Sequence, residues 1–208
     1  ERALENYNKA IELFRNANDE DNPNMAGFYN NIAIIYDEQN KYTEALDFYK
    51  KSLATMKQHL PSNHPNVAAC HINIGGVYYQ LNEYDLAMEH VQQSLEIRLK
   101  SLPGDHPDIA GSHNNIGLVY SNLNKYDLAM EHVQQSLEIR LKSLPGDHPN
   151  IATSYRNIGL IHEKKREWKQ ALELFEKALN IYQHAFSSQH PNVLEVKADI
   201  ERVSANLK

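Results

Sequence analysis

The sequence is poor in cysteine. Cys70 is the one thiol in 208 residues, so no internal disulfide can staple the fold. A lone thiol fits a reducing, cytoplasmic compartment, and Cys70 itself reads as a small helical packing residue rather than a nucleophile. Long apolar runs are missing too. Nothing approaches the ~20 residues of a membrane span, so no membrane partner is expected. The opening residues Glu1 to Glu5 hold neither a basic n-region nor an apolar h-region, so no signal peptide is visible. The chain starts without Met and inside a helical pattern, which reads as a fragment of a longer protein. Positive charge is in deficit, with 21 Lys and Arg against 27 Asp and Glu and a net charge of −6. Duplex DNA binding needs a basic face that displaces counterions from phosphates, so no nucleic-acid partner is expected.

What the sequence does have is periodicity. Pro23, Pro65, Pro107, Pro149 and Pro191 stand 42 residues apart, without an insertion or deletion. His64, His106, His148 and His190 precede four of them, and Asn22 precedes the first. The same period carries Asn31, Asn73, Asn115 and Asn157, then Ala33, Gly75, Gly117 and Gly159, then Tyr36, Tyr78, Tyr120 and His162. A second block brings Tyr42, Tyr84, Tyr126 and Trp168, followed by alanines at 3, 45, 87, 129 and 171. Residues 84–107 and 126–149 are identical, the mark of a recent tandem duplication.

Each period holds two helical patterns. Over 66–80, Val67, Ala68, His71, Ile74, Val77 and Tyr78 recur at spacings of three and four, which predicts a helix with one apolar stripe. Pro65 suits its first turn, where the missing N–H would be an orphan donor anyway. A second helix is predicted over 84–100 through Leu86, Ala87, Val91, Leu95, Ile97 and Leu99. The link between them is three residues, and the exit through SLPGDHP carries turn chemistry. Two such helices form an antiparallel hairpin, and stacked hairpins form a solenoid. A mid-helix Gly costs ~1 kcal/mol relative to Ala, so its recurrence needs a packing reason. Gly75 is expected to face Ala87 so that the two backbones approach closely, with Tyr78 and Val91 filling the space above. Gly75-Gly76 is no phosphate loop, because neither a preceding strand nor a following GK[ST] accompanies it.

These residues resemble the tetratricopeptide repeat. The family's pattern of a large residue, Leu, Gly, Tyr, Ala, Phe and Ala falls on His71, Ile74, Gly75, Tyr78, Ala87, Val91 and Ser94 in one period. In another it falls on Tyr155, Ile158, Gly159, His162, Ala171, Phe175 and Ala178. The family unit has 34 residues, so the 42-residue period here adds eight, which lengthen the second helix and its exit loop. That length, the His-Pro at the loop's end, Asn114-Asn115 and Lys125-Tyr126 are similar to the repeats of kinesin light chains. The resemblance implies an all-α fold, a right-handed superhelical solenoid of antiparallel helix hairpins. It implies one array over 1–208, with residues 1–20 as the second helix of a truncated repeat. Full repeats are then expected at 24–63, 66–105, 108–147 and 150–189, with a capping helix or the first half of a fifth repeat at 192–207.

In that family the first helices line the concave side, where a peptide usually lies. Carried over by register, the groove positions include Asn30, Asn31, Asn73, Tyr79, Asn114, Asn115, Asn122, Arg156, Asn157 and Lys164. An amide offers both donor and acceptor, so the Asn ladder could grip an extended peptide backbone without reading its sequence. The alternative is that each Asn bonds to a neighbouring repeat, or that duplication merely copied it. Asp37 and Glu38 mark one end of the groove, and Arg156, Lys164, Lys165 and Arg166 the other. An acidic segment is expected to prefer the basic end, and the resemblance to kinesin light chains adds a Trp-containing acidic motif. A clamp for chaperone tails is disfavoured, because it needs Lys where Asn30, Gly111, Asn114 and Thr153 stand.

No catalytic, metal or cofactor site is expected. The four His-Pro histidines stand one repeat apart, too far for ligands that must converge at ~2.0 Å on a zinc ion. His90 and His132 are likewise copies of one another. His162-Glu163 begins a zinc-binding motif whose second His is replaced by Arg166. The leading reading is a non-catalytic scaffold, a kinesin-light-chain-like adaptor for a protein or linear peptide. A structural or self-assembling spacer within a larger multidomain sensor or enzyme is the alternative. A further option is an array that recruits substrate for an enzyme elsewhere in the parent chain.

Overall fold

A computed structural model describes residues 2–16 and 22–207. The described residues form ten helices and no strand. They are α1 (Arg2–Asn16), α2 (Asn24–Glu38), α3 (Tyr42–His59), α4 (Pro65–Gln80), α5 (Tyr84–Ser101), α6 (Pro107–Asn122), α7 (Tyr126–Ser143), α8 (Pro149–Lys164), α9 (Trp168–Ala185) and α10 (Pro191–Ala205). The expected end of the first helix near residue 20 lies outside the described residues. The chain divides into two compact units, one through Ser101 with α1 to α5 and one from Leu102 with α6 to α10. In the first unit α2–α3 and α4–α5 are antiparallel hairpins, with α1 on α2 and α3 on α4. In the second, α6–α7 and α8–α9 are hairpins, with α7 on α8 and α9 on α10.

The His-Pro dipeptides are helix starts. Pro65, Pro107, Pro149 and Pro191 each occupy the first turn. The residue before each is an extended histidine whose Nδ1 accepts from the backbone N–H two residues on. His64 accepts from Asn66 at 3.1 Å, and His106, His148 and His190 do the same for Asp108, Asn150 and Asn192. At the first period Asn22 Oδ1 accepts from Asn24 N at 2.9 Å. Each side chain satisfies a donor that the helix end would otherwise leave orphaned.

The three-residue links owe their geometry to one left-handed residue. Asn40, Asn82, Asn124 and Arg166 have φ of 57°, 61°, 59° and 61°. The following N–H then folds back, as from Lys41 to the Tyr36 carbonyl at 2.9 Å. This is how a helix C-terminus recovers an orphan acceptor. Asn visits this region more readily than other non-glycine residues. It also accepts from the first tyrosine of the next helix: Tyr42, Tyr84 and Tyr126 hydroxyls donate to Asn40, Asn82 and Asn124 at 2.9, 2.6 and 2.8 Å. In the fourth period both partners change together, to Arg166 and Trp168.

Within each hairpin, small residues set the separation of the helices. A Cβ placed on Gly75 would stand 2.9 Å from Val91 Cγ1, one on Gly117 2.4 Å from Val133 Cγ2, and one on Gly159 2.7 Å from Phe175 Cε1. Ala87, Ala129 and Ala171 on the facing helices are fully buried. Larger apolar groups fill the surroundings. In the first unit Tyr49, Leu53 and Met56 pack with Val67, Ile74 and Val77, and in the second Phe175 and Tyr182 pack with Val193, Val196 and Val203. Helix α10 buries those valines but carries Leu194, 47% exposed, and Glu201 where α8 has Ala152 and Gly159.

Two serines are misfits in this core. Ser52 Oγ donates to the Ala26 carbonyl at 2.7 Å, but the buried hydroxyls of Ser94 and Ser136 have no hydrogen-bond partner among the described residues. The equivalent residue in the fourth period is Ala178, also fully buried. Ser136→Ala is therefore expected to stabilise the protein by about 1 kcal/mol in urea unfolding. The glycines predict changes of opposite sign. Gly76 has open space around its Cβ position, so Gly76→Ala should gain about 1 kcal/mol from helix propensity. Gly117→Ala should lose about 1–3 kcal/mol, because the added methyl forces the α6–α7 seam apart. Equal shifts from both glycines would contradict this packing.

Candidate functional site: the face of the first helices

The residues expected to line a groove lie on the first helix of each hairpin, and many of them are bonded to a neighbouring helix. In the first unit Asn73 Nδ2 on α4 donates to Asn30 Oδ1 on α2 at 3.3 Å. Asn31 Nδ2 donates to the Tyr7 hydroxyl on α1 at 3.1 Å. In the second unit Asn157 Nδ2 on α8 donates to Asn114 Oδ1 on α6 at 2.7 Å, and both residues are buried. The rung then changes chemistry. Arg156 on α8 donates through Nε to Asp199 Oδ2 at 2.6 Å and through Nη1 to Glu195 Oε2 at 2.6 Å, both on α10. Three of these contacts span 43 residues, one period plus one: Asn30 to Asn73, Asn114 to Asn157, and Arg156 to Asp199.

The charged end of this face is closed on itself. Arg202 grips Glu163 through Nε and Nη2 at 2.5 and 2.7 Å, and its Nη2 also reaches Asp199 Oδ1 at 2.8 Å. The Asp199 side chain is 5% exposed, so both guanidinium groups meet a carboxylate largely withdrawn from water. Partial burial works against the Arg156 charge, but Asp199 and Glu195 outweigh it and hold its pKa above the ordinary value. Lys164 donates to the Ser121 carbonyl at 3.2 Å and to Asn122 Oδ1 at 3.1 Å, and desolvation of its amine lowers its pKa. Lys165 bonds Asp127 at 3.1 Å.

Less of this face is left open than the register alone suggested. The side chain of Asn115, half-buried, makes no hydrogen bond to another described residue. Leu118 and Leu160 are half-buried, and Lys164 is exposed along much of its length. In the first unit Tyr79 is half-buried against Tyr84, edge-to-face at 5.7 Å between centroids, and Ile34 and Gly76 are exposed. At the expected acidic end, burial and the neighbouring Glu38 raise the Asp37 pKa.

Sequence reasoning missed two polar devices. Arg140, in the added length of the second helix, is buried and donates to the Asn150 carbonyl at 2.7 Å and Ser154 Oγ at 2.8 Å, so it ties α7 to the first turn of α8. Burial pushes its pKa down. The second device is a pair of histidine contacts inside the hairpins, His71 with His90 and His113 with His132. Among the described residues no three His, Cys, Asp or Glu side chains converge as metal ligands would. No helix among them is long and apolar enough to cross a membrane.

A tetratricopeptide-repeat family model matches residues 1–58 and 108–184, and a second tetratricopeptide-repeat model matches 67–108. No curated protein matches the sequence significantly. Among solved structures, the nearly identical TPR-like repeats of a putative kinesin light chain from Podosopora anserina are similar at 22% identity. That match has a TM-score of 0.73 and covers 89% of this chain and 88% of the other. BtubC (BKLC) from P. vanneervenii is similar at 17% identity with a TM-score of 0.81, over 99% of this chain and 83% of that one. The apo form of RapI is similar at 22% identity with a TM-score of 0.77, over 98% of this chain and 57% of RapI. At these identities the likeness is one of fold.

The closed charge cluster yields a prediction for stability. Asp199→Ala removes the buried carboxylate shared by two guanidinium groups on α8 and α10, which keep only the more peripheral Glu195 and Glu163, so the second unit should lose about 2 kcal/mol, discounted for their partial exposure. Glu195→Gln, at a more exposed carboxylate, should change stability by less than about 1 kcal/mol. Urea unfolding followed by the emission of Trp168, which packs in this unit, reads both. Equal effects would show that the depth of Asp199 is irrelevant.

Proposed function

The chain belongs to the tetratricopeptide-repeat family, a fold that serves as a scaffold for protein–protein interaction, and from that premise we propose that it is a kinesin-light-chain-like adaptor whose first helices grip an extended peptide or partner segment. The observation that carries the proposal is the open remainder of the α6–α8 face. Asn115 has unspent amide capacity, Leu118 and Leu160 supply half-buried apolar surface, and Lys164, whose amine bonds Ser121 and Asn122 but meets no described carboxylate, supplies a cation that is not neutralised. An amide beside apolar side chains suits a peptide in extended form, since it can meet backbone N–H and C=O groups while adjacent pockets take side chains. Asn31 and Asn73, half-buried, retain one N–H each beyond their contacts between helices and contribute as secondary contacts, whereas Asn157 is buried against Asn114. The ligand class is acidic with a Trp anchor, Lys164 being its charge partner. Arg156 is left as a structural cation, because Asp199 and Glu195 already satisfy it. We propose α10 as the cap of the second unit, on the strength of Glu201 in place of glycine.

The experiment is fluorescence polarisation of a labelled acidic peptide with one Trp, titrated with the chain at two salt concentrations. Asn115→Ala should weaken binding by about tenfold, the value of one net hydrogen bond. Lys164→Glu should weaken it further and flatten the salt dependence. Unchanged affinity in both variants would overturn this placement of the site. A second reading, a self-assembling spacer within a larger protein, draws on the identity of residues 84–107 and 126–149, which leaves two neighbouring repeats little room for distinct specificities. Failure to bind any member of an unbiased peptide library, together with a molecular mass that rises with concentration, would favour it.

A further inference from the structure

The two duplicated hairpins share a feature that the outer hairpins lack. His71 on α4 points Nδ1 at His90 Nδ1 on α5, 2.9 Å away, with ring centroids 5.1 Å apart. His113 on α6 and His132 on α7 repeat the contact at 3.0 and 5.2 Å. The contacts sit at the tight seam, since His90 Cβ lies 3.5 Å from the Cβ position of Gly75. Tyr78 and Tyr120 lie against the outer faces of His90 and His132, with centroids 5.6 Å apart in both. At the same positions the first hairpin has Tyr29 and Phe48, 6.1 Å apart, and the fourth has Tyr155 and Leu174.

Two imidazoles facing each other through Nδ1 can bond only if one nitrogen carries a proton and the other keeps its lone pair. Each pair therefore holds one Nδ1–H···Nδ1 bond when neutral, with the partners in opposite tautomers. It survives one added proton, and a second removes the acceptor and sets two N–H groups and two charges against each other. His71 is 2% exposed, so a charged, unpaired ring has no water to turn to without separating the helices.

We propose that the two histidine pairs are acid-sensitive latches, closed at neutral pH and opened by full protonation, which loosen the duplicated hairpins while leaving the outer two intact. The surroundings set different thresholds. Around the first pair, Lys57 and Lys50 on α3 oppose protonation, and Glu89 on α5 favours it at His90. A cavity of about 360 Å³, lined in part by Lys57, Gln93 and Glu96, opens beside His71, whose ring is nonetheless withdrawn from water. Within the second unit, Glu131 on α7 favours protonation of both His113 and His132. Burial first, then His90 and Lys57, push His71 down to about 4. Burial likewise lowers His90, His113 and His132. Without the lysines, the second latch opens at the higher pH.

The sign follows from linkage. A histidine held below its unfolded value binds more protons when unfolded, so its contribution is complete above about 6.5 and is lost as pH falls toward the folded value. For His71 the folding equilibrium constant should fall on the order of tenfold between pH 7.5 and pH 5. The test is urea unfolding of the full chain across that range, beside H71Y/H90F and H113Y/H132F, which copy the pair Tyr29 and Phe48. Each double variant should lose part of the acid sensitivity, and the two together most of it. An unchanged pH dependence would overturn the proposal. Nitrogen-resolved NMR of the wild-type imidazoles at pH 7.5 gives a readout independent of the variants. One ring of each pair should be the Nδ1–H tautomer and the other Nε2–H. Two Nε2–H rings in a pair would leave no proton to close the latch and would overturn it as well.

Discussion

The close approach of the two helices in each hairpin is the constraint on which the rest depends. Gly75, Gly117 and Gly159 bring their helices so near the facing one that a single methyl would meet Val91, Val133 or Phe175 at 2.9 Å or less. That separation puts the facing alanines out of reach of water and fixes the rotation of each helix about its axis. Rotation decides which residues meet across the seam and which turn outward. The left-handed link residues and the His-Pro caps serve the same end, because they set where each helix stops and starts to within a residue. A hairpin with one seam distance and one register can then be stacked, and the 42-residue period is the record of that repetition.

Once the first helices are held in register, their outward side chains have two competing uses. An amide or charge there can brace its neighbour or meet a ligand. In the second unit the balance runs strongly to bracing: Asn114 with Asn157, and Arg156 and Arg202 with Asp199, Glu195 and Glu163. A buried amide pair or ion pair contributes little net stability, but leaving one member unpaired is costly. These contacts therefore act mainly to specify how one hairpin sits on the next. In the proposed site the ligand-facing capacity falls to Asn115, Lys164 and the leucines beside them, narrower and less charged than the full ladder.

Much of the fold was legible in the sequence because its punctuation is regular. The helices predicted over 66–80 and 84–100 run from Pro65 to Gln80 and from Tyr84 to Ser101. Spacings of three and four, bounded by Pro and by a short polar link, leave little freedom in where such helices begin and end. The role of the recurring histidines was not legible, since His is not among the favoured N-caps and only the Nδ1 geometry reveals it. The partners of the ladder were hidden for another reason. Matching positions stand 42 residues apart, but a contact between neighbouring first helices is offset by one further residue, a shift set by how the hairpins pack. Asp199, in the ladder register after Asn157, was a signal in plain view, placing a carboxylate beside Arg156. The histidine pairs were harder to see, because His71 reads as one more member of an apolar stripe until α5 is laid against it.

The proposed binding surface is the open remainder of the first-helix face and not the second helices. Hydrogen–deuterium exchange with and without a saturating bound peptide tests it most directly. Slowed exchange is expected along α6 and α8, around Asn115, Leu118, Leu160 and Lys164, with α7 and α9 unchanged. Protection confined to α7 and α9 would contradict it and place the binding surface on the opposite side of the hairpins.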